Sequence, residues 1–156
     1  MNSIALQTMD GWDVPNVTWM IPAPGQLALT RQSHGLLLNS VTRLSDDSGS
    51  YNCFGLVFAA RRTNVNVPTA PASIDEILRR DRYARVRSAQ VGDVIAYRDL
   101  SEEIEHVGIV VAVDPLLPGG KPLVRVWSMW GGLGEFLHEE RVCPYDGRVE
   151  YWRAQR

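Results

Sequence analysis

The chain has 156 residues, 45% of them hydrophobic and 22% charged. That is the composition of a single globular domain able to bury a core without a disulfide or metal staple. Sixteen basic against eighteen acidic residues leave a formal charge of −2, which excludes the basic excess of a sequence-independent nucleic-acid binder. No run approaches the ~18–20 apolar residues of a membrane span, and Met1 to Asp13 holds no basic flank leading into an apolar stretch. The expectation is a soluble protein without membrane or nucleic-acid partners, made in the cytoplasm, with export by a signal-independent route left open.

Residues 1–50 read as a strand- and loop-rich extension, punctuated by Pro15, Pro22 and Pro24-Gly25 and closed by the polar run Ser45 to Ser50. Residues 51–156 read as the core of the same single domain. Cys53 to Arg62 is compact and apolar and ends in two cations, which predicts a buried helix starting at or just before Cys53. Ser73-Ile74-Asp75-Glu76 has the form of a capping box and predicts a second helix from Ile74 to about Arg80. The following Arg79 to Arg87 cluster reads as a solvated helix face. Val91 to Arg98, His106 to Val113, Leu123 to Trp130 and Val149 to Arg153 are apolar or β-branched and read as an antiparallel sheet. Helices first and strands after predict an α+β class.

Candidate chemistry is confined to two cysteines and three histidines, Cys53, Cys143, His34, His106 and His138. A thiol at a helix N-terminus gains thiolate character from unpaired N–H groups, which makes Cys53 a candidate nucleophile. His106 opens a strand, where a sheet fixes a base at the rim of a cleft, and Gly108 leaves space on the same face. Together they form a cysteine–histidine arrangement for covalent catalysis. If Val113 lies opposite Leu123, His106 faces Trp130 and Ser128 lies opposite Gly108 on the face of His106. Ser128 is therefore the candidate third member, with His138 as the alternative. A zinc site built from Cys53, His106, His138 and Cys143 lacks any C-x₂-C pair, so no metal or cofactor is expected. A Cys53–Cys143 disulfide is disfavoured in a reducing compartment. Of the five tryptophans, Trp130 beside Gly131-Gly132 is the one expected near a cleft.

Three strings carry a family resemblance. Tyr51-Asn52-Cys53-Phe54-Gly55-Leu56-Val57 resembles the nucleophile segment of the NlpC/P60 superfamily, Gly92-Asp93-Val94-Ile95-Ala96-Tyr97 its Gly-Asp-Leu strand, and His106-Val107-Gly108-Ile109-Val110 its general-base strand. Their order and spacing agree over roughly Tyr51 to Trp130. The segment Ser128 to Gly131, with His138 and Cys143-Pro144-Tyr145, also looks like a bacterial and phage-type branch of that superfamily.

The resemblance implies a papain-like fold, with a Cys-bearing helix packed on an antiparallel sheet, and a cysteine peptidase or amidase acting on peptide or peptidoglycan-like substrates. Cys53 would be the nucleophile, His106 the base and Ser128 the third residue, with Tyr51, Asn52, Phe54 and Trp130 lining the substrate cleft. Asn52 stands where the family usually has Asp, and Phe54 where it has a small residue. A thioester would form on Cys53 and be resolved by water. A catalytically inactive or binding-only relative, and a cysteine-dependent acyltransferase, are the competing readings.

Overall fold

The computed structural model describes residues 7–14, 35–45, 52–58, 71–115, 118–130 and 133–155. A seven-stranded antiparallel sheet dominates it. In chain order the elements are α1 (Gly35–Leu38), β1 (Thr42–Ser45), α2 (Cys53–Phe58), α3 (Pro71–Arg80), β2 (Tyr83–Val86), β3 (Val94–Arg98), β4 (Ile104–Asp114), β5 (Leu123–Met129), β6 (Glu135–Glu139) and β7 (Arg148–Ala154). The sheet order is β1-β6-β5-β4-β3-β7-β2. No helix among the described residues is long and apolar enough to cross a membrane.

This architecture overturns the α+β, papain-like expectation. The helices α1, α2 and α3 hold only 4, 6 and 10 residues, and a strand, β1, precedes the Cys-bearing helix. Three strands, β1, β2 and β6, lie where the sequence reading placed loops or a helix face. The chain is mostly β because each of these short segments finds a partner edge for its backbone groups: β1 on β6, β6 on β5, and β2 on β7.

Local chemistry explains the boundaries. In α3, Ile74, Ile77 and Leu78 form an i, i+3, i+4 stripe that is at most 1% exposed. The helix begins at Pro71, a residue suited to a first turn, so Ser73 lies inside that turn and is not the expected cap. Glu76 turns to the basic residues that follow and pairs with Arg80 at 2.5 Å and with Arg79. Arg82, at φ 57°, reverses the chain after α3, and β2 follows directly. The arginine cluster is thus a helix end plus an edge strand, and its cations suit an edge that must not recruit another chain.

The Gly-Asp string has a structural role. Gly92, at φ 94°, makes the turn into β3. The carboxylate of Asp93, 2% exposed, accepts the Gln90 amide at 2.8 Å and two bonds from the Arg153 guanidinium at 2.8 Å each, tying β3 to β7.

Two layers cover the sheet. On one face α2 and α3 pack over Val94, Ala96, Ile104 and Val107. On the other, Ile95, Tyr97, Val110, Val126 and Phe136 form a second cluster against which Leu38 of α1 and Tyr145 pack. Between β4 and β5 the pairing is Val113 with Val124 near the turn, one residue off the expected register, and Gly108 with Ser128 farther along, as expected. A bulge between Val110 and Ala112 absorbs the difference.

Candidate active site

Cys53 is the first residue of α2. Asn52 caps the helix: its carbonyl accepts the Leu56 amide at 2.9 Å and its Oδ1 accepts the Gly55 amide at 2.9 Å. The cap consumes the third free amide of the first turn. The amides of Cys53 and Phe54 remain, and both are directed at the Cys53 sulfur together with the amide of Val107 on β4. The thiol is only 8% exposed. Burial dominates and pushes it up to about 12, against the pull of the Val107, Phe54 and Cys53 amides. At neutral pH the group is a thiol, held beside donors that favour negative charge on sulfur.

His106 follows different neighbours. It pairs with Tyr97 across the β3–β4 ladder and shares that residue's face, so the strand alternation sets its side chain opposite that of Val107, which packs on the α2 side. The imidazole has 0% exposure. The Tyr145 ring stacks on it at 3.8 Å between centroids and 10° between planes, and the Tyr97 ring leans on it at 5.4 Å and 51°. Neither ring nitrogen has a hydrogen-bond partner among the described residues. Burial, with the nearby His138 adding to it, holds the imidazole well below its ordinary value, so it is neutral at neutral pH.

The structure thus brings the Cys53 sulfur to the backbone next to His106, but no hydrogen bond joins thiol and imidazole. Tyr145 lies near both. It stacks on His106, and its phenol is raised first by burial and then by its proximity to Cys53.

Ser128 and His138 belong to each other. The Trp130 indole N–H donates to Ser128 Oγ at 3.1 Å. Because the indole is only a donor, the Ser128 hydroxyl proton is free to go to His138 Nε2, 2.7 Å away. That leaves the proton on His138 Nδ1, which donates to the Glu139 carbonyl at 2.7 Å. The chain of bonds fixes one neutral tautomer, and burial holds His138 below its ordinary value. Ser128 lies opposite Gly108 as the pairing arithmetic expected, yet its oxygen is committed to His138 and not to His106. His138, expected in a loop beyond the third strand, sits on β6.

The remaining expected residues separate by position. Asn52 is a helix cap. Phe54 is half-buried against the α2-side core. Trp130 is 3% exposed, stacked on Phe136 at 4.2 Å, and so belongs to the core and not to a cleft rim. Tyr51 lies outside the described residues, as do His34, Gly131 and Gly132. Gly108 does not leave open space: a Cβ there would stand 2.5 Å from Val126 Cγ1 and 3.1 Å from Ser128 Cβ. Both cysteines are free. The Cys143 thiol donates to the Tyr145 carbonyl at 3.3 Å, and among the described residues no three of His, Cys, Asp and Glu are grouped to hold a metal ion.

Sequence reasoning missed Tyr97, Tyr145 and the Val107 amide. Tyr97 was within reach, since extending the pairing arithmetic to the β3–β4 hairpin sets it against His106. Tyr145 lies outside the strands, and no periodicity signals its position. No family model, curated protein or solved structure matches this chain.

Proposed function

We propose that the protein is a thiol hydrolase that cleaves an amide bond, in a peptide or a peptidoglycan-like stem, through Cys53 and His106. The observation that carries this reading is the convergence at residues 106–107 of β4: a capped helix aims two spare amides at the Cys53 sulfur, the Val107 amide adds a third, and the adjoining residue is a fully buried imidazole with both nitrogens unengaged among the described residues. A buried unpaired imidazole costs stability, and a base for the neighbouring thiol gives that cost a use. The three short strings that resemble the NlpC/P60 superfamily add support, and the likeness rests on them and not on the architecture.

The chemistry starts from two neutral groups. As the sulfur attacks the carbonyl carbon, His106 takes the thiol proton, and the amides at the tip of α2 stabilise the negative charge that develops. The imidazolium then gives its proton to the departing amine, leaving a thioester on Cys53. His106 next deprotonates water, which attacks the thioester, releases the acid and restores the thiol. The proton transfer requires thiol and imidazole to come within hydrogen-bond reach once substrate is bound; catalytic hydrogen bonds are commonly longer in the free state.

A binding-only role on the same scaffold is the second reading, favoured by the raised thiol and the lack of a hydrogen bond between it and His106. The native chain and Cys53→Ala, compared on a panel of wall stem peptides and protein substrates, separate the two. Cleavage by the native chain that Cys53→Ala abolishes supports hydrolysis. Peptide binding without cleavage, unchanged in Cys53→Ala, supports the second reading.

A further inference from the structure

We propose that Tyr145 is the positioning residue of this site, holding the plane of the His106 imidazole by stacking in place of a hydrogen-bonding third member. The inference rests on the hydrolase reading above and extends it. The polar residues expected to orient His106 are occupied: the Ser128 oxygen serves His138 and Trp130, and both His138 nitrogens are engaged, by Ser128 and by the Glu139 carbonyl. What does contact His106 is aromatic. The Tyr145 ring lies on it almost parallel, 3.8 Å between centroids, with Tyr97 tilted against it.

Stacking has a property that a hydrogen bond lacks here. A ring laid on the imidazole face restrains its rotation while both edge nitrogens stay free, one for the thiol proton and one for whatever the reaction brings. A conventional third residue fixes the ring by consuming one nitrogen. Tyr145 is itself half-buried, so it separates a fully buried base from solvent. It is anchored from behind, because its carbonyl accepts the Cys143 thiol, and its phenol lies near enough to Cys53 to respond to a charge there. The ionisable groups around the pair are Tyr97 on β3, Glu105 on β4, His138 on β6 and Cys143 beside Tyr145. None of them donates to or accepts from the imidazole nitrogens.

The test uses the full chain in a Cys143→Ala background, with p-nitrophenyl acetate as the acylating probe. The thiol attacks the acetyl carbonyl, p-nitrophenol leaves, and water later resolves the acetyl thioester. Tyr145→Phe keeps the ring, and Tyr145→Leu keeps bulk without a ring to stack. The expected result is kcat within about twofold of native for Phe and about tenfold or more below it for Leu, with KM little changed, because misplacing a base costs rate more than binding. In parallel, the ring-proton resonances of His106 stay in place for Phe and move for Leu as the ring current is lost, and Phe rescues both readouts. Acylation of Cys53 in Tyr145→Leu at or above the native rate would overturn the proposal, since Tyr145 would then be an obstruction. So would a Phe variant as impaired as Leu. Should the native chain show no Cys53-dependent acylation, the hydrolase reading falls on its own, and the resonances still decide whether Tyr145 holds the imidazole: unmoved signals in Leu overturn it, moved and Phe-rescued signals support it.

Discussion

Ser128→Ala separates a structural from a catalytic role for the residue that sequence pairing set beside the base. Ser128 has 0% exposure, and its oxygen links two groups that are each 3% exposed, His138 and Trp130. Removing that oxygen deletes the 2.7 Å bond to His138 Nε2 and the 3.1 Å bond from the indole N–H. It leaves one buried acceptor and one buried donor without a partner. Each such orphan costs roughly 1–3 kcal/mol, so the pair together costs about 2–4 kcal/mol after partial relaxation. With a urea m-value of roughly 1–3 kcal/mol/M, the unfolding midpoint should fall by about 1–2 M. Equilibrium urea unfolding followed by tryptophan fluorescence at pH 7.5 reads this directly. Acylation of Cys53 by p-nitrophenyl acetate in the folded variant should stay within about threefold of native, because the Ser128 oxygen never reaches His106 and a structural loss away from the base leaves proton transfer intact. An unchanged midpoint would refute the hydrogen-bond accounting. A stable, folded Ser128→Ala chain that no longer acylates would refute the separation of Ser128 from the base.

Other expected outcomes follow from the same geometry. His106 and His138 are both held below the ordinary histidine value by burial, so each favours the folded state fully above the unfolded pKa of about 6.5, and that contribution is lost as pH falls below it. Thermal unfolding between pH 7.5 and pH 4.5 should show Tm dropping through this window, and His106→Phe should flatten the drop. Gly108→Ala drives a methyl to 2.5 Å from Val126 Cγ1 and 3.0 Å from the Trp127 carbonyl, so urea unfolding should register a loss of about 1–3 kcal/mol from overpacking. Glu150, its side chain 3% exposed, bonds Arg98 at 2.6 Å, Arg148 at 3.0 Å and Arg85 at 3.3 Å. Glu150→Ala leaves the Arg98 guanidinium buried with less counter-charge and should cost about 3–5 kcal/mol by the same measurement.

The parts legible in the sequence were those set by long apolar strands and by strong turns. The β3, β4, β5 and β7 segments carry enough β-branched and apolar residues to declare themselves, and the Gly108–Ser128 pairing follows from alternation along two of them. Its derivation assumed an unbroken ladder, and the bulge at Val110–Ala112 corrected the offset before the ladder reached the site. The short strands were hidden by their charges. Tyr83–Val86 lies in an arginine-rich stretch that reads as a solvated helix, and Glu135–Glu139 begins and ends on a carboxylate. What makes each a strand is a free neighbouring edge, a tertiary fact absent from any local window. The helix at Cys53 was legible from its cap, but its apolar run was given too much weight in assigning the class. At the site, the position of Cys53 followed from local signals. The setting of His106 did not, because Tyr145 reaches it from a segment between strands and Ser128 was drawn away by a histidine on β6.

The dependence of Cys53 on His106 is the centre of this account, and one comparison tests it. The rate of Cys53 acylation by p-nitrophenyl acetate is measured in the native chain and in His106→Ala, with intact mass after proteolysis assigning the label. A general base of this kind contributes about 10²–10⁴-fold, so His106→Ala should slow acylation at Cys53 by at least about a hundredfold, while Cys143, whose thiol bonds backbone carbonyls, changes little. Equal rates in the two chains, or labelling of Cys143 as fast as Cys53 in the native one, would contradict it.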